Sequence, residues 1–220
     1  MKKTNLNEKN FEDEYAVKAL RENDYQLRDS ADNFDKGLCL DTELVLEYIK
    51  TTQPDVWSDY SSQRDNPEDK LLSRIAQQIK NRGVVDVLRE GIKDRGHSFD
   101  LLAFEPEHTL NPEHMEMYEA NQFSVINQLH HSKRNPERSL DVVLFVNGVP
   151  LFTMELKNKF TGQEAENAIN QYIHTRNHNE PLLKRSIAHF AVDNDEVYYT
   201  TKLRGENTEF LPFNKDIENP

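Results

Sequence analysis

Apolar residues recur at a helical period in the first 95 residues of the chain and at a strand period over much of the remainder. In the first part we predict a helix near residues 11–20, a second over 41–49, and a third from Pro67 to about Gly83. Asp41 fits the N-cap of the second helix, Pro67 suits the first turn of the third, and Gly83 suits its end.

After residue 95 the alternation changes to the spacing of strands joined by turns. The predicted strands cover residues 97–104, 122–129, 139–157 as a hairpin, 186–192 and 196–200, and helices are predicted over 111–118 and 163–176. This order indicates an α/β fold with a mixed central sheet flanked by helices and additional helices at the N-terminus.

The hairpin carries the candidate chemistry. Its two apolar runs are joined by Asn147-Gly148, which supplies the positive φ angles of a tight turn, and they enclose Asp141, Glu155 and Lys157. An antiparallel pair brings Asp141 and Glu155 to the same end of the sheet, and Lys157 leaves the same face as Glu155. Two carboxylates with solvent oxygens suit Mg²⁺, and a lysine beside them can orient water or neutralise developing charge. The pattern predicts metal-assisted phosphodiester hydrolysis.

A solvated strand face is the other reading of these residues, because Glu-x-Lys is common on exposed strands. The aspartate on the preceding strand, the Asn147-Gly148 turn, the following helix and the basic surroundings favour the functional reading. In that reading, Met154 and Leu156 point the opposite way, toward the core.

Charge and composition narrow the class of protein. The 220-residue chain has a net charge of -12 and a mean hydropathy of -0.85, and no apolar stretch approaches membrane-helix length. A single cysteine and no signal-like N-terminus lead us to expect a cytoplasmic protein. The negative charge disfavours DNA binding by the chain alone, so DNA is expected to contact the locally basic region around the hairpin. The basic candidates there and on the next helix are Lys133, Arg134, Arg138, Lys159 and Arg176.

Asp141, Glu155 and Lys157 resemble the PD-(D/E)xK nuclease signature. The wider context is similar to the N-terminal endonuclease domain of the R (restriction, motor) subunit of type I restriction enzymes, found in bacteria and archaea. The resemblance runs from about Phe11 to the end, with its motifs at residues 41–46, 87–93, 139–145, 155–158, 161–163, 189–193 and 210–214. It implies a restriction-endonuclease-like sheet, with Leu140 in the place of the signature proline.

The resemblance implies a role for each matching residue. Asp141 and Glu155 become the metal ligands for Mg²⁺, with Mn²⁺ as a substitute, and Lys157 becomes the catalytic lysine. Gln171 matches the glutamine of a Gln-x-x-x-Tyr motif. Its tyrosine place is held by Thr175, with Tyr172 next to Gln171, and either is a candidate for the tyrosine's role. Glu12 matches an accessory glutamate of related nucleases, but an ordinary acid in the first helix is the favoured reading.

The resemblance also implies a larger assembly. We expect residues 1–95 to form a helical region packed on the nuclease core, with membership of its first helix in that core as an alternative. Residues 96–205 are expected to form the core, and residues 206–220 to begin a linker to an ATP-dependent motor. The chain has no phosphate-binding loop, so ATP is expected only in that motor region. The implied partners are double-stranded DNA and the modification and specificity subunits. The alternatives are a stand-alone DNA repair nuclease and a docking module whose nuclease site has decayed.

Overall fold

The computed structural model describes residues 18–29, 33–62, 64–106, 112–159 and 162–213. The helices in these ranges are α1 (Lys18–Glu22), α2 (Thr42–Thr52), α3 (Pro54–Ser62), α4 (Pro67–Arg82), α5 (Val84–Glu90), α6 (Pro112–Glu119), α7 (Ala165–Asn170), a π-helix (Gln171–Thr175) and α8 (Pro181–Arg185). The strands are β1 (Gln26–Arg28), β2 (Phe34–Asp35), β3 (Leu40–Asp41), β4 (Ile92–Asp94), β5 (His97–Phe99), β6 (Phe123–Leu129), β7 (Leu140–Val146), β8 (Val149–Leu156), β9 (Ala188–Val192), β10 (Val197–Thr200) and β11 (Leu211–Pro212). No helix within these ranges is both long and apolar enough to cross a membrane.

Helices α2 and α4 begin at the capping residues predicted from the sequence, and each buries its apolar face. The Asp41 carboxylate accepts a hydrogen bond from the Leu44 N–H at the start of α2, as the N-cap prediction requires. Helix α4 begins at Pro67 and ends before Gly83, and it buries Leu71, Leu72, Ile75, Ala76 and Ile79. Among the described residues, these apolar faces form a large buried cluster, which also includes residues at the tip of the predicted hairpin.

A seven-stranded mixed sheet forms the centre of the fold, with the strand order β1-β6-β7-β8-β9-β10-β11. The pairs β1/β6 and β8/β9 are parallel, and the other neighbours are antiparallel. With helices flanking this sheet, the structure confirms the predicted α/β, restriction-endonuclease-like class.

Parts of the strand prediction differ from the structure. Residues 97–99 pair with β4 in a separate small hairpin, and residues 100–104 are not strand, so the predicted 97–104 strand is absent from the central sheet. Strand β1, in the region predicted as helical, pairs with β6 at the sheet edge. Strands β1 and β5 are each only three residues long, so no sequence period distinguishes them.

Both faces of the central hairpin are covered, which differs from the one-sided core expected from Met154 and Leu156. On one face a buried cluster contains Leu156 and packs against Met154. On the other face Glu155 itself is fully buried. Central strands with helices on both sides lose the alternation between inside and outside, so polarity along β8 does not indicate its exposure.

The predicted helical region before residue 95 and the predicted linker after residue 205 both contact the central sheet. Within the predicted helical region, the Asp41 N–H donates to the Gly148 carbonyl at 2.9 Å, which joins β3 to the hairpin turn. Within the predicted linker, β11 pairs with β10, and the Phe213 ring contacts Phe190 and Tyr199. The domain limits at residues 95 and 205 remain predictions.

Candidate active site

The hairpin brings the two predicted carboxylates together at the end away from its turn. The turn residues Asn147 and Gly148 have φ angles of 46° and 78°. Val142 pairs with Met154, and the same register continued by one residue sets Asp141 opposite Glu155. The Asp141 carboxylate also accepts a hydrogen bond from the Leu156 N–H at 2.8 Å. The expected convergence of Asp141 and Glu155 is therefore present in the structure.

Glu155 lies in an enclosed, charged environment. Its side chain is fully buried, and its Oε1 accepts a hydrogen bond from Nε of Arg176 at 2.6 Å and forms an ion pair with Nη2 of Arg176 at 2.6 Å. Its other oxygen, Oε2, is buried with no hydrogen-bond partner among the described residues. Burial and the Asp141 carboxylate raise the pKa of Glu155 well above its usual value, and Arg176 opposes this shift.

The predicted lysine follows Glu155 into the same region of the sheet. Lys157 lies just after β8, and its backbone N–H donates to the Val192 carbonyl at 2.8 Å. Its side chain is largely enclosed, with the residue 8% exposed. Spacing of two along an extended chain places Glu155 and Lys157 on one face. The signature residues thus lie at one end of β7 and β8.

The helix that follows the hairpin covers this face, but part of it is a π-helix and not the α-helix that was predicted. The predicted helix over 163–176 begins at Ala165 and changes into a π-helix over Gln171–Thr175. Within the π-helix, the Gln171 carbonyl accepts bonds from the Thr175 hydroxyl at 2.7 Å and the Arg176 N–H at 3.0 Å. Tyr172 is buried and Thr175 is exposed, so the geometry places Tyr172, and not Thr175, inside the site.

A buried polar network that the sequence analysis missed lies beside the carboxylates. The Thr153 hydroxyl is 2.8 Å from the Tyr172 hydroxyl and 2.7 Å from Nδ1 of His189. Burial raises the pKa of Tyr172 well above its usual value, with the Glu155 carboxylate adding to the effect, and burial lowers the pKa of His189 to about 4. Thr153, two residues before Glu155 on β8, was detectable from strand spacing, whereas His189 was marked only as the first residue of the motif at 189–193.

The predicted DNA contacts fall into two groups. Lys133, Arg134 and Arg138 are exposed, and Arg138 donates to the Thr175 carbonyl at 2.6 Å. Arg176, by contrast, is bound to Glu155 with its side chain only 7% exposed.

Lys159 contacts Asp193 and Asp195 in the turn after β9, at 3.5 Å and 3.1 Å. Of the predicted DNA contacts, Lys133, Arg134 and Arg138 are therefore the best exposed to phosphate. Glu12 lies outside the described residues.

The donor set fits a water-rich cation better than zinc. Within the described ranges, no cluster of three His, Cys, Asp or Glu side chains is present. Asp141 and Glu155 provide two carboxyl groups, and Glu155 Oε2 is a buried oxygen without a hydrogen-bond partner in those ranges. Mg²⁺ commonly binds one or two carboxylates and keeps several waters. The residues therefore fit Mg²⁺ or Mn²⁺.

Comparison with known proteins agrees with this geometry at the level of the family. A family model described as the type I restriction enzyme R protein N terminus matches residues 5–208. No curated protein matches the chain. Because the match spans nearly the whole length, the chain belongs to the family of type I restriction enzyme R protein N-terminal domains.

Proposed function

We propose that the chain is the Mg²⁺-dependent endonuclease domain of a type I restriction enzyme R subunit and hydrolyses phosphodiester bonds of double-stranded DNA. The observation that carries the proposal is the pair Asp141 and Glu155, opposite each other in the hairpin register, with Glu155 Oε2 buried and unpartnered within the described residues. A buried carboxylate oxygen without a partner is costly unless a proton or a cation satisfies it.

Asp141 and Glu155 would hold the metal ion. Glu155 binds Arg176 through Oε1, which leaves Oε2 for a cation. When bound, Mg²⁺ supplies Lewis-acid polarisation of the phosphate and acidifies a coordinated water. The Leu156 N–H and the Gln128 side-chain amide hold the Asp141 carboxylate, at 2.8 Å and 3.2 Å. These bonds fix the orientation of one of the two ligands.

The remaining side chains act around these two ligands. Lys157 orients the attacking water or neutralises charge that develops on the phosphate. Arg176 compensates the negative charge of the carboxylates and orients Glu155. Tyr172, bonded to Thr153 on the same strand as Glu155, fixes the helix against the site. Gln171 begins the π-helix, and irregular helices of this kind are frequent at functional sites.

The family supports the wider setting of the reaction. We propose that the domain cuts unmodified DNA away from the recognition site, after ATP-driven translocation by a motor region of the same polypeptide. The modification and specificity subunits would choose the site. No recognition helix or ribbon is needed in the nuclease if those subunits read the sequence.

The test uses a complete restriction complex that carries this domain. Asp141→Asn, Glu155→Gln and Lys157→Met should each lower DNA cleavage at least about 100-fold while ATP hydrolysis continues. Glu166→Gln, on the exposed side of α7, is the matched control and should cleave normally. Parallel loss of cleavage and ATP hydrolysis in all three variants would contradict a catalytic role.

Metal binding separates this proposal from a decayed docking module. Calorimetric titration of the chain with Mn²⁺ should detect binding that Glu155→Ala abolishes and Glu166→Gln retains. A wild-type chain that binds no Mn²⁺ would favour the docking module. Cleavage by the chain alone, without ATP or partner subunits, would favour a stand-alone repair nuclease.

A further inference from the structure

A large, strongly basic cleft lies outside the carboxylate site. It has a volume of about 1400 Å³ and lies between helix α4 and the segment that contains α8. Eight of its lining residues are Lys or Arg and two are Asp, in a chain whose net charge is -12. We call it the basic cleft, with Lys70, Lys80, Arg95, Lys184 and Lys202 as its exposed cations.

The exposed cations of the basic cleft have no acidic partners within the described part of the chain. The side chains of Lys70, Lys80, Arg95, Lys184 and Lys202 make no ion pair or hydrogen bond there. Of the two aspartates that line the cleft, Asp94 is already bound by Arg64 at 3.5 Å, by Arg74 at 3.8 Å and by the Tyr60 hydroxyl at 3.0 Å. The other, Asp69, is exposed and offsets at most one of the eight cations. The basic cleft is therefore a local region of positive potential on an acidic protein.

The spacing of the cations suits a phosphate backbone. Lys70, Arg74, Gln77 and Lys80 are three or four residues apart along α4 and form one face of that helix. Lys70 and Lys80 are separated by about 15 Å along the helix axis, the length of about four phosphates on one DNA strand. Lys184 on α8 supplies charge from the opposite wall.

The chemistry of the cleft walls favours duplex DNA over single strands. Among the residues that the structure describes, none that lines the cleft is aromatic. Binding of single strands typically uses aromatic rings on which bases stack. Lysines with neutral polar neighbours such as Ser73 and Asn179 contact phosphate and sugar without reading sequence.

The basic cleft is close to the candidate active site. Arg176, which binds Glu155, is three residues before Asn179, which lines the cleft, so their Cα atoms are at most about 11 Å apart. At the other margin, Lys133 Nζ lies beside Gly37, close enough that an added Cβ there would be 2.6 Å from it. The Arg185 guanidinium donates to the Leu38 carbonyl at 2.6 Å and fixes α8 to this margin.

We propose that the basic cleft binds the sugar-phosphate backbone of double-stranded DNA and holds the duplex next to the carboxylates. This proposal rests on the proposed nuclease function, whose substrate it would position. Contacts of this kind are independent of sequence, which suits cleavage away from a recognition site.

The test measures DNA binding without cleavage. The chain is titrated against a fluorescent duplex of about 20 base pairs at several salt concentrations from about 50 mM, with EDTA to remove divalent ions. Lys70→Gln/Lys80→Gln should raise Kd at least about tenfold and reduce the salt slope by about 2, and Lys184→Gln should reduce it by about 1. The control Lys18→Gln/Arg21→Gln removes the same charge from exposed residues of α1, outside the cleft, and should change Kd less than about twofold.

Circular dichroism and urea midpoints establish that each variant is folded. Equal weakening by the cleft and control pairs would overturn the proposal, because it would show only a general charge effect. So would no binding by the wild-type chain at low salt. Unchanged duplex affinity in the cleft pair, with loss of assembly with the modification and specificity subunits, would overturn it and assign the cleft to a protein partner.

Metal-dependent cleavage tests the nuclease proposal separately from the measurement of DNA affinity. If the cleft pair loses DNA affinity while the wild-type complex shows no metal-dependent cleavage, the nuclease proposal fails and the cleft proposal stands. If Asp141→Asn abolishes cleavage while the cleft pair binds DNA normally, the nuclease proposal stands and the cleft proposal fails.

Discussion

The buried ion pair between Arg176 and Glu155 predicts a stability loss that depends on pH. Replacing Arg176 with methionine keeps much of the aliphatic chain but removes the guanidinium that donates a hydrogen bond to Glu155 Oε1 and forms an ion pair with it. Glu155 would then be a fully buried carboxylate that faces Asp141 without its guanidinium partner.

The size of the loss follows from the burial of both partners. Removing one member of a buried ion pair costs about 3–5 kcal/mol of the free energy of unfolding. The cost is smaller when the buried Glu155 takes up a proton, by at most about 1.4 kcal/mol for each unit by which the pH lies below its pKa. We therefore expect a loss of about 3 kcal/mol where Glu155 is ionised and about 1 kcal/mol, from lost packing, where it is protonated, so the loss is larger at pH 8 than at pH 5.

The direction of the pH effect is set by the raised pKa of Glu155 in the folded protein. A carboxyl that holds its proton more tightly when folded favours folding at low pH, and this contribution is lost as pH rises through the folded-state pKa. Without Arg176 that pKa rises further. The deficit of the variant should therefore grow from pH 5 to pH 8.

Urea denaturation at both pH values measures this effect, with circular dichroism and the fluorescence of the single tryptophan, Trp57, as probes. In a Glu155→Gln background, Arg176→Met should cost only about 1 kcal/mol at either pH. Arg134→Met, at an exposed arginine, is the control and should cost under about 0.5 kcal/mol. An equal cost of Arg176→Met in both backgrounds and at both pH values would refute the electrostatic explanation.

Three further predictions concern the surroundings of the site. Tyr172→Phe should lower the free energy of unfolding by about 1–3 kcal/mol in urea denaturation, because it removes a buried hydrogen-bonded hydroxyl; no change would show that this bond is dispensable. Gly148→Ala should cost more than about 3 kcal/mol, because its Cβ would overlap the Asp41 backbone oxygen, whereas Gly96→Ala, at φ 91° with open space around it, should cost about 1 kcal/mol; similar urea midpoints would contradict this. The His189 ring should titrate near pH 4 by NMR, and because its pKa is lowered on folding, its contribution to stability should fall by about 2 kcal/mol from pH 7 to pH 5; a pKa near 6.5 would contradict its burial.

Much of the fold could be predicted from local patterns. The turn at Asn147-Gly148, the alternation on either side of it and the capped helices α2 and α4 are determined by neighbouring residues, and each appears close to its predicted limits. The short strand β1 could not be predicted, because its three residues have no period and its pairing depends on β6, almost one hundred residues later.

The residues of the candidate site could be named from the sequence, but their burial and their ion pairs could not be predicted. Strand spacing alone placed Asp141 and Glu155 together, because cross-strand pairing follows from the turn. The burial of Glu155 and the change of the following helix into a π-helix depend on packing between elements distant in sequence. Arg176 was assigned to DNA from its charge, yet its neighbour in space is Glu155.

The amino-acid sequence therefore specified the chemical groups, their spacing along each strand and helix, and the family. Tertiary structure decided which of these groups are enclosed, which charges neutralise each other and which remain exposed. The basic cleft illustrates the difference, since Lys70 and Lys184 form its opposite walls although more than one hundred residues separate them. The energy of a charge depends on its distance from other charges and on its burial, and both are properties of the packed molecule.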